Sequence, residues 1–117
     1  MKFESKIFMS GKEMEIEDLG QGVKRQLLGY NDEILMAKVW FEEGSEGYVH
    51  SHVHSQSSYV ESGKFDVNIA GEIKTLVAGD AFYIPPHVSH GAVCKKAGVL
   101  IDVFSPIRED FLRGDKK

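Results

Sequence analysis

The segment HSHVHSQ, which runs from His50 to Gln56, has an imidazole or carboxamide side chain at every second position. Alternate side chains of a strand point to one face, so these groups can converge on a single point. Imidazole and carboxamide groups are reasonable ligands for first-row transition metals. Two more histidines, His87 and His90, follow in the segment PPHVSHG and can complete such a site. The spacing indicates a metal centre, and a chance cluster of surface histidines is the alternative that these residues leave open.

The composition favours a small single domain that acts on small molecules. The chain has 117 residues, a net charge of −4 and one cysteine, Cys94, which has no partner for an intrachain disulfide and is expected to be a buried thiol. A chain without a basic cluster lacks the surface that binds nucleic-acid phosphates. The N-terminal segment has no long apolar run, so it predicts neither a signal peptide nor a membrane span. We therefore expect a cytoplasmic protein without a nucleic-acid or membrane partner.

Short apolar runs separated by glycine turns predict an all-β domain, either a sandwich or a small barrel. Strands are predicted over residues 23–30, 34–42 and 98–104, with further alternation around 65–69 and a short strand from residue 81. Ser105 is predicted to cap a short C-terminal helix, with Pro106 at its first position and two acidic residues near its positive end.

The last predicted strand contains an aspartate between apolar neighbours. Leu100, Asp102 and Phe104 share one face of this strand, and the valines and isoleucine between them share the other. Aspartate is disfavoured in strands and costly to bury without partners, so Asp102 needs a reason to be there. Either it has a structural role, on an exposed face or in a hydrogen bond, or it is a general acid/base near the metal.

The wider spacing resembles the two sequence signatures of the cupin family. The first signature is matched by Gly44, His50, His52, Gln56 and Gly63, with glutamine in place of the usual glutamate. The second is matched by Gly79, Pro85 and His90, with histidine and cysteine replacing the usual glycine and asparagine. The resemblance implies a double-stranded β-helix, or jelly-roll, barrel that holds one divalent metal ion.

The same resemblance assigns four metal ligands, which are His50, His52, Gln56 and His90. It leaves His54 spare if the chain bends after His52, and it places His87 at the pocket rim or on the surface. The ion can be nickel, zinc, manganese or iron. Because all four ligands are neutral, the ion keeps its full charge, which favours Lewis-acid chemistry on anionic oxygens over redox cycling.

A narrower resemblance, carried by the segments EDLGQGVKRQLLGY, HSHVHSQ, IPPHVSHGA and DVFSPIREDF, is to the small cupins of pectin breakdown, the KdgF family. It implies an enzyme that opens 4,5-unsaturated monouronates from pectin or alginate to the linear 5-keto-4-deoxyuronate. Asp102 is the implied acid/base, and Phe104 packs on the sugar. Arg108 binds the substrate carboxylate or forms a surface ion pair with its acidic neighbours. Arg25 and Lys38 are further cationic candidates.

We therefore predict one cupin domain over residues 1–117, with N-terminal strands in 1–33, the barrel core in 34–104 and a helix over 105–113. The predicted partner is a sugar acid. A metal-dependent dioxygenase and a non-catalytic sugar-binding cupin are the alternative functions. A homodimer is expected, because the N-terminal strands of a small barrel leave edges that need cover.

Overall fold

The computed structural model describes residues 2–113, which form one antiparallel β-barrel domain with a single short helix. The elements are β1 (Glu17–Gly20), β2 (Val23–Asn31), β3 (Ile34–Phe41), β4 (Glu46–His50), β5 (Ser55–Ile69), β6 (Glu72–Val77), β7 (Ala81–Ile84), β8 (His90–Ser105) and α1 (Glu109–Leu112). The predicted all-β class and the short C-terminal helix are confirmed. Among the described residues, no helix is long and apolar enough to cross a membrane.

Two long strands, β5 and β8, run through both halves of the barrel and pair with each other from Ser55↔Ser105 to Ile69↔His90. The first part of β8 also pairs with β4, and its last part pairs with β3. In the same way β7 pairs with the start of β5, and β6 pairs with its end. Residues far apart in the chain therefore meet wherever β5 and β8 lie side by side.

The alternation predicted for the last strand is confirmed. Leu100, Asp102 and Phe104 are buried, whereas the residues between them are only half-buried. The buried side chains form two clusters, one of Leu35, Ala37, Val39, Phe104, Ile107 and Phe111, the other of Val60, Phe65, Val67, Cys94 and Leu100. Each large apolar side chain buried in this way contributes roughly 1.5–3 kcal/mol to folding. Cys94 is a buried free thiol, as predicted, and burial raises its pKa.

Gly63 and Gly98 touch where β5 and β8 cross with an irregular register. Gly63 has a φ of +84°, which residues with a side chain rarely adopt. A Cβ atom built on Gly63 would lie 2.5 Å from the Gly98 Cα atom. The two backbones can approach this closely only because neither residue has a side chain.

The predicted start of the C-terminal helix is wrong. Ser105 pairs with Ser55 as the last residue of β8, so it cannot cap a helix, and α1 begins only at Glu109. Between these elements, the Ile107 N–H donates to the Asp32 carbonyl oxygen over 3.1 Å, and the Ile107 side chain is buried in the core. These contacts hold residues 106–108 outside any helix, where the first helical turn was predicted.

One other boundary differs from the prediction, and the N-terminal strands occupy only part of their predicted range of 1–33. Strand β8 begins at His90, eight residues before the predicted start at Gly98, since its first part pairs with β4 and β5. At the other end of the chain, residues 2–16 contribute only an isolated bridge between Glu4 and Asn31, so the N-terminal strands lie within 17–31.

Candidate metal centre and active site

A cavity of about 920 Å³ is lined by the four predicted metal ligands and by the other predicted site residues, Asp102, Phe104 and Arg108. Its walls include His50, His52, Gln56, His90, Asp102, Phe104 and Arg108. Strands β4, β5 and β8, the loop between β4 and β5, and the segment that leads into α1 supply these side chains. The β5–β8 ladder thus brings two distant parts of the chain to one chamber.

Three histidines form the centre of this chamber. His50 ends β4 and pairs directly with His90, the first residue of β8, and His52 follows in the next loop. One ring nitrogen of each histidine lies within 4.8 Å of those of the other two. The ring centroid of His90 is 4.5 Å from that of His50 and 4.8 Å from that of His52. Three imidazoles at this spacing are positioned to bind a metal ion.

Backbone carbonyl groups fix the proton positions of all three rings. The Nδ1–H group of His50 donates to the Tyr48 carbonyl oxygen over 2.6 Å. The same ring nitrogen of His52 and of His90 donates to a carbonyl oxygen over 3.0 Å and 2.9 Å, respectively. Because a carbonyl oxygen can only accept, Nδ1 holds the proton of each ring in its neutral form, which leaves the Nε2 lone pair available to a metal ion. Carbonyl contacts of this kind orient metal-binding histidines in proteins.

Gln56 gives a further indication that a cation fits here. Its Oε1 atom lies 3.0 Å from the His52 Nε2 atom, while its amide nitrogen donates to Ser58 Oγ over 3.0 Å. Burial lowers the pKa of His52 and favours the neutral ring, although the contact with Gln56 opposes this effect. In the neutral ring Nδ1 donates to the His54 carbonyl oxygen, so Nε2 has no proton to donate to Gln56. Two lone pairs therefore face each other, an arrangement that a shared metal ion would stabilise.

Burial also lowers the pKa of His90 to about 4. A ring with this pKa is neutral at physiological pH, which is the form that binds metals. The donor set of three imidazoles and one carboxamide therefore fits a divalent ion.

The remaining two histidines lie outside the cluster. The chain bends at Val53 and His54, and the His54 Nε2–H group donates to the Ile107 carbonyl oxygen over 3.1 Å. The Nδ1 atom of His54 is buried, with no hydrogen-bond partner among residues 2–113. His87 is exposed, and its backbone N–H donates to the His52 carbonyl oxygen over 2.7 Å. His87 thus positions the loop of a candidate ligand through its backbone.

A chain of hydrogen bonds joins this cluster to Asp102. Gln56 donates to Ser58, and Ser58 Oγ donates to Asp102 Oδ1 over 2.6 Å. Asp102 is only 9% exposed, and burial raises its pKa to about 6 against the opposing effects of the Ser58 hydrogen bond and the Arg108 charge. A carboxyl group with this pKa exists in both protonation states near neutral pH, as a group that accepts and returns a proton requires.

Arg108 and Phe104 form the wall next to the histidines. The Phe104 ring lies 5.8 Å from the His52 ring, and the guanidinium carbon of Arg108 lies 5.0 Å from the Phe104 centroid and 4.3 Å from the Phe111 centroid. Arg108 donates to both carboxylate oxygens of Asp110, over 3.0 Å and 2.8 Å. The ion pair considered from the sequence therefore exists, but Arg108 itself is buried and not at the surface.

The two other cationic candidates, Arg25 and Lys38, lie on opposite faces of the sheet. Arg25 is buried, lines the cavity and donates to both carboxylate oxygens of Glu17 over 3.2 Å. Its guanidinium carbon lies 3.9 Å from the centroid of the Phe111 ring. Lys38 is not part of the cavity wall, and it pairs with Glu61 at 3.8 Å. Only Arg25 is thus placed to affect a ligand in the chamber.

Sequence reasoning missed Ser58 and Phe111. The signal for Ser58 is the strand register, which sets it directly opposite Asp102, 44 residues further along the chain. Phe111 is the one buried residue of α1, and the guanidinium groups of Arg25 and Arg108 both lie against its ring.

Comparisons with known proteins agree with this geometry. The family model of the cupin domain matches residues 38–104. The pectin degradation protein KdgF of Dickeya dadantii is 44% identical over 98 residues, covering 82% of this chain and 89% of the relative.

Solved structures show the same likeness. An RmlC-like cupin from Shewanella frigidimarina is 59% identical with a TM-score of 0.91, and the match covers 92% of this chain and 97% of that one. KdgF from Halomonas sp. is 35% identical with a TM-score of 0.87, and the match covers 92% and 99% of the two chains. The chain therefore belongs to the cupin family, and within it to the KdgF group of pectin degradation proteins.

Proposed function

We propose that this protein opens 4,5-unsaturated monouronates, released from pectin or alginate, to the linear 5-keto-4-deoxyuronate. The observation that carries the proposal is the presence of a buried carboxyl group, Asp102, in the same chamber as three histidines whose ring nitrogens lie within 4.8 Å of one another. The likeness to KdgF proteins supports the substrate class. The reaction has two requirements, a group that moves protons and an electrophile that stabilises oxygen anions.

The chemistry of the substrate explains both requirements. Its ring oxygen belongs to a hemiacetal and also to an enol ether conjugated with the carboxylate. Loss of the anomeric hydroxyl proton breaks the bond between carbon 1 and the ring oxygen, which leaves an aldehyde and an enolate. Protonation of the enolate at carbon 4 then gives the ketone. Nothing is oxidised and no water is consumed, so the reaction is an isomerisation.

His50, His52, Gln56 and His90 would hold a divalent ion. Bound there, such an ion would supply a Lewis acid that stabilises negative charge on the carboxylate and enolate oxygens. The neutral ligands themselves add no negative charge to the chamber, which favours binding of an anionic sugar.

Asp102 serves as the proton carrier. In its ionised form the carboxylate accepts the anomeric hydroxyl proton, and in its protonated form it returns a proton to carbon 4. Its raised pKa of about 6 makes both forms accessible near neutral pH. The hydrogen bond from Ser58 to Oδ1 leaves the second carboxyl oxygen for this transfer.

Arg108 and Phe104 orient the sugar. The buried guanidinium of Arg108 attracts the substrate carboxylate, and its contact with two aromatic rings limits its motion. The Phe104 ring offers an apolar surface next to the histidines, on which the nonpolar face of a sugar can pack.

The direct test is to mix the metal-loaded protein with an unsaturated monouronate and follow the ultraviolet absorbance of the conjugated enol ether. We expect the absorbance to fall in a saturable, enzyme-dependent manner without oxygen uptake. Stoichiometric oxygen uptake would instead identify a dioxygenase. Binding without any loss of absorbance would identify a non-catalytic sugar-binding cupin.

A further inference from the structure

Ser58 connects two groups that the proposed function uses in different ways, Gln56 beside the histidines and Asp102 as the proton carrier. Its side chain is buried, with 2% of the residue exposed. The β5–β8 register places it directly across from Asp102, and alternation along β5 places it on the same face as Gln56. Its hydroxyl oxygen lies 3.0 Å from the Gln56 amide nitrogen and 2.6 Å from Asp102 Oδ1.

This chain of hydrogen bonds has a defined direction. The amide nitrogen of Gln56 can only donate, and an ionised Asp102 can only accept. The hydroxyl of Ser58 has one proton, so it must accept from Gln56 and donate to Asp102. With its nitrogen held in this way, Gln56 must turn its carbonyl oxygen toward His52, where it lies 3.0 Å from Nε2.

We infer that Ser58 is a positioning residue that fixes the Gln56 carbonyl oxygen toward the metal centre while it holds the Asp102 carboxylate in place. The inference rests on the metal site of the proposed function. Without the hydroxyl, the Gln56 carboxamide can rotate so that its NH₂ group faces the histidines, and this group cannot bind a cation. Asp102 would also lose its hydrogen-bond donor in a buried position.

The first experiment measures zinc binding, not turnover. Metal-free protein is titrated with Zn²⁺ in competition with a chromogenic chelator. Loss of a residue that orients a metal ligand typically weakens metal binding by about 10–100-fold, so we expect Ser58→Ala to weaken zinc binding by at least about tenfold. Ser57→Ala is the matched control, because Ser57 is the exposed neighbour on the opposite face of the strand, and we expect no change.

A double-mutant cycle distinguishes positioning from a general structural effect. If Ser58 acts through Gln56, Ser58→Ala should cause no further loss of zinc affinity in a Gln56→Ala background. An equal loss in both backgrounds would show that the substitution acts through the fold, and it would overturn the inference.

A measurement on the unsubstituted protein covers the case in which Ser58→Ala fails to fold. The side-chain NH₂ protons of Gln56 should exchange with solvent at least about tenfold more slowly than those of the exposed Gln21, because Gln56 donates to a buried hydroxyl. Equal exchange rates would overturn the inference.

The outcomes also separate this inference from the proposed function. If the unsubstituted protein binds no zinc, the metal site fails and the role of Ser58 fails with it. If that protein binds zinc and Ser58→Ala binds it equally tightly, only the positioning role is overturned.

Discussion

Replacing Asp102 with asparagine separates proton transfer from the other properties of the chamber. The two side chains have nearly the same shape, and the carbonyl oxygen of asparagine can still accept the hydrogen bond from Ser58. General acid–base groups contribute about 10²–10⁴-fold to a rate, so we expect Asp102→Asn to lose at least about a hundredfold in turnover while it keeps its metal. The assay is the fall in absorbance of the conjugated enol ether, with the metal content of each sample measured in parallel.

The pH dependence of turnover provides a second quantitative test of the role of Asp102. The pKa of about 6 means that the ionised fraction of Asp102 falls about tenfold between pH 7 and pH 5. If the carboxylate starts the reaction, turnover by the metal-saturated protein should fall by a similar factor, and the residual activity of Asp102→Asn should not follow this profile. Full activity of the metal-loaded variant, or a flat profile in the unsubstituted protein, would refute the role of Asp102.

The same pKa shift predicts a change in the stability of the metal-free protein. Burial raises the pKa of Asp102 from 3.8 in the unfolded chain to about 6 in the folded one, so the folded state binds the proton more tightly. The contribution of this group to stability is therefore present below pH 3.8 and is lost as pH rises through 6. The difference between these two pKa values corresponds to about 3 kcal/mol. Urea unfolding should show that Asp102→Asn gains stability relative to the unsubstituted protein by up to this amount between pH 4 and pH 7.

Other substitutions test the remaining parts of the site. His90→Ala should lose bound metal at least about tenfold more than His54→Ala, measured by elemental analysis after dialysis, and equal metal contents would contradict the ligand assignment. Arg108→Met should raise the KM for the uronate by at least about tenfold with a smaller effect on kcat. Lys95→Met, a control at an exposed position, should change neither constant. An unchanged KM for Arg108→Met in steady-state kinetics would contradict the carboxylate contact. Gln56→Glu should bind zinc more tightly but turn over the uronate more slowly, since the added negative charge makes the metal a weaker Lewis acid. Zinc competition measures the first effect and the absorbance assay measures the second. Faster turnover would contradict this reasoning.

Much of the fold could be predicted because its signals are local. Strand alternation placed Asp102 and Phe104 on the inner face, and the structure buries both. The start of the helix could not be predicted in this way, since capping preferences at Ser105 compete with a strand pairing to Ser55 that is formed 50 residues away in sequence. At this position the long-range strand pairing overrides the local preference of serine for a helix cap.

The same distinction between local and long-range signals applies to the candidate site. Histidines at strand spacing are visible in the sequence because their side chains are chemically distinctive. A serine inside a strand is not distinctive, and a role for Ser58 can be recognised only once the strand register places it opposite Asp102. The burial of Arg108 could not be predicted either, because it depends on Phe111 packing back over the barrel, whereas a short acidic helix start favours an exposed arginine.

The contact between Gly63 and Gly98 has a consequence for how this site can tolerate change. The strands that meet there are the same two that present Gln56, Ser58 and Asp102 to the chamber. A single methyl group at either glycine would push these strands apart and would alter the spacing of these three side chains without contacting them. The geometry of the cavity thus depends on the absence of a side chain at two glycines that are not part of its wall.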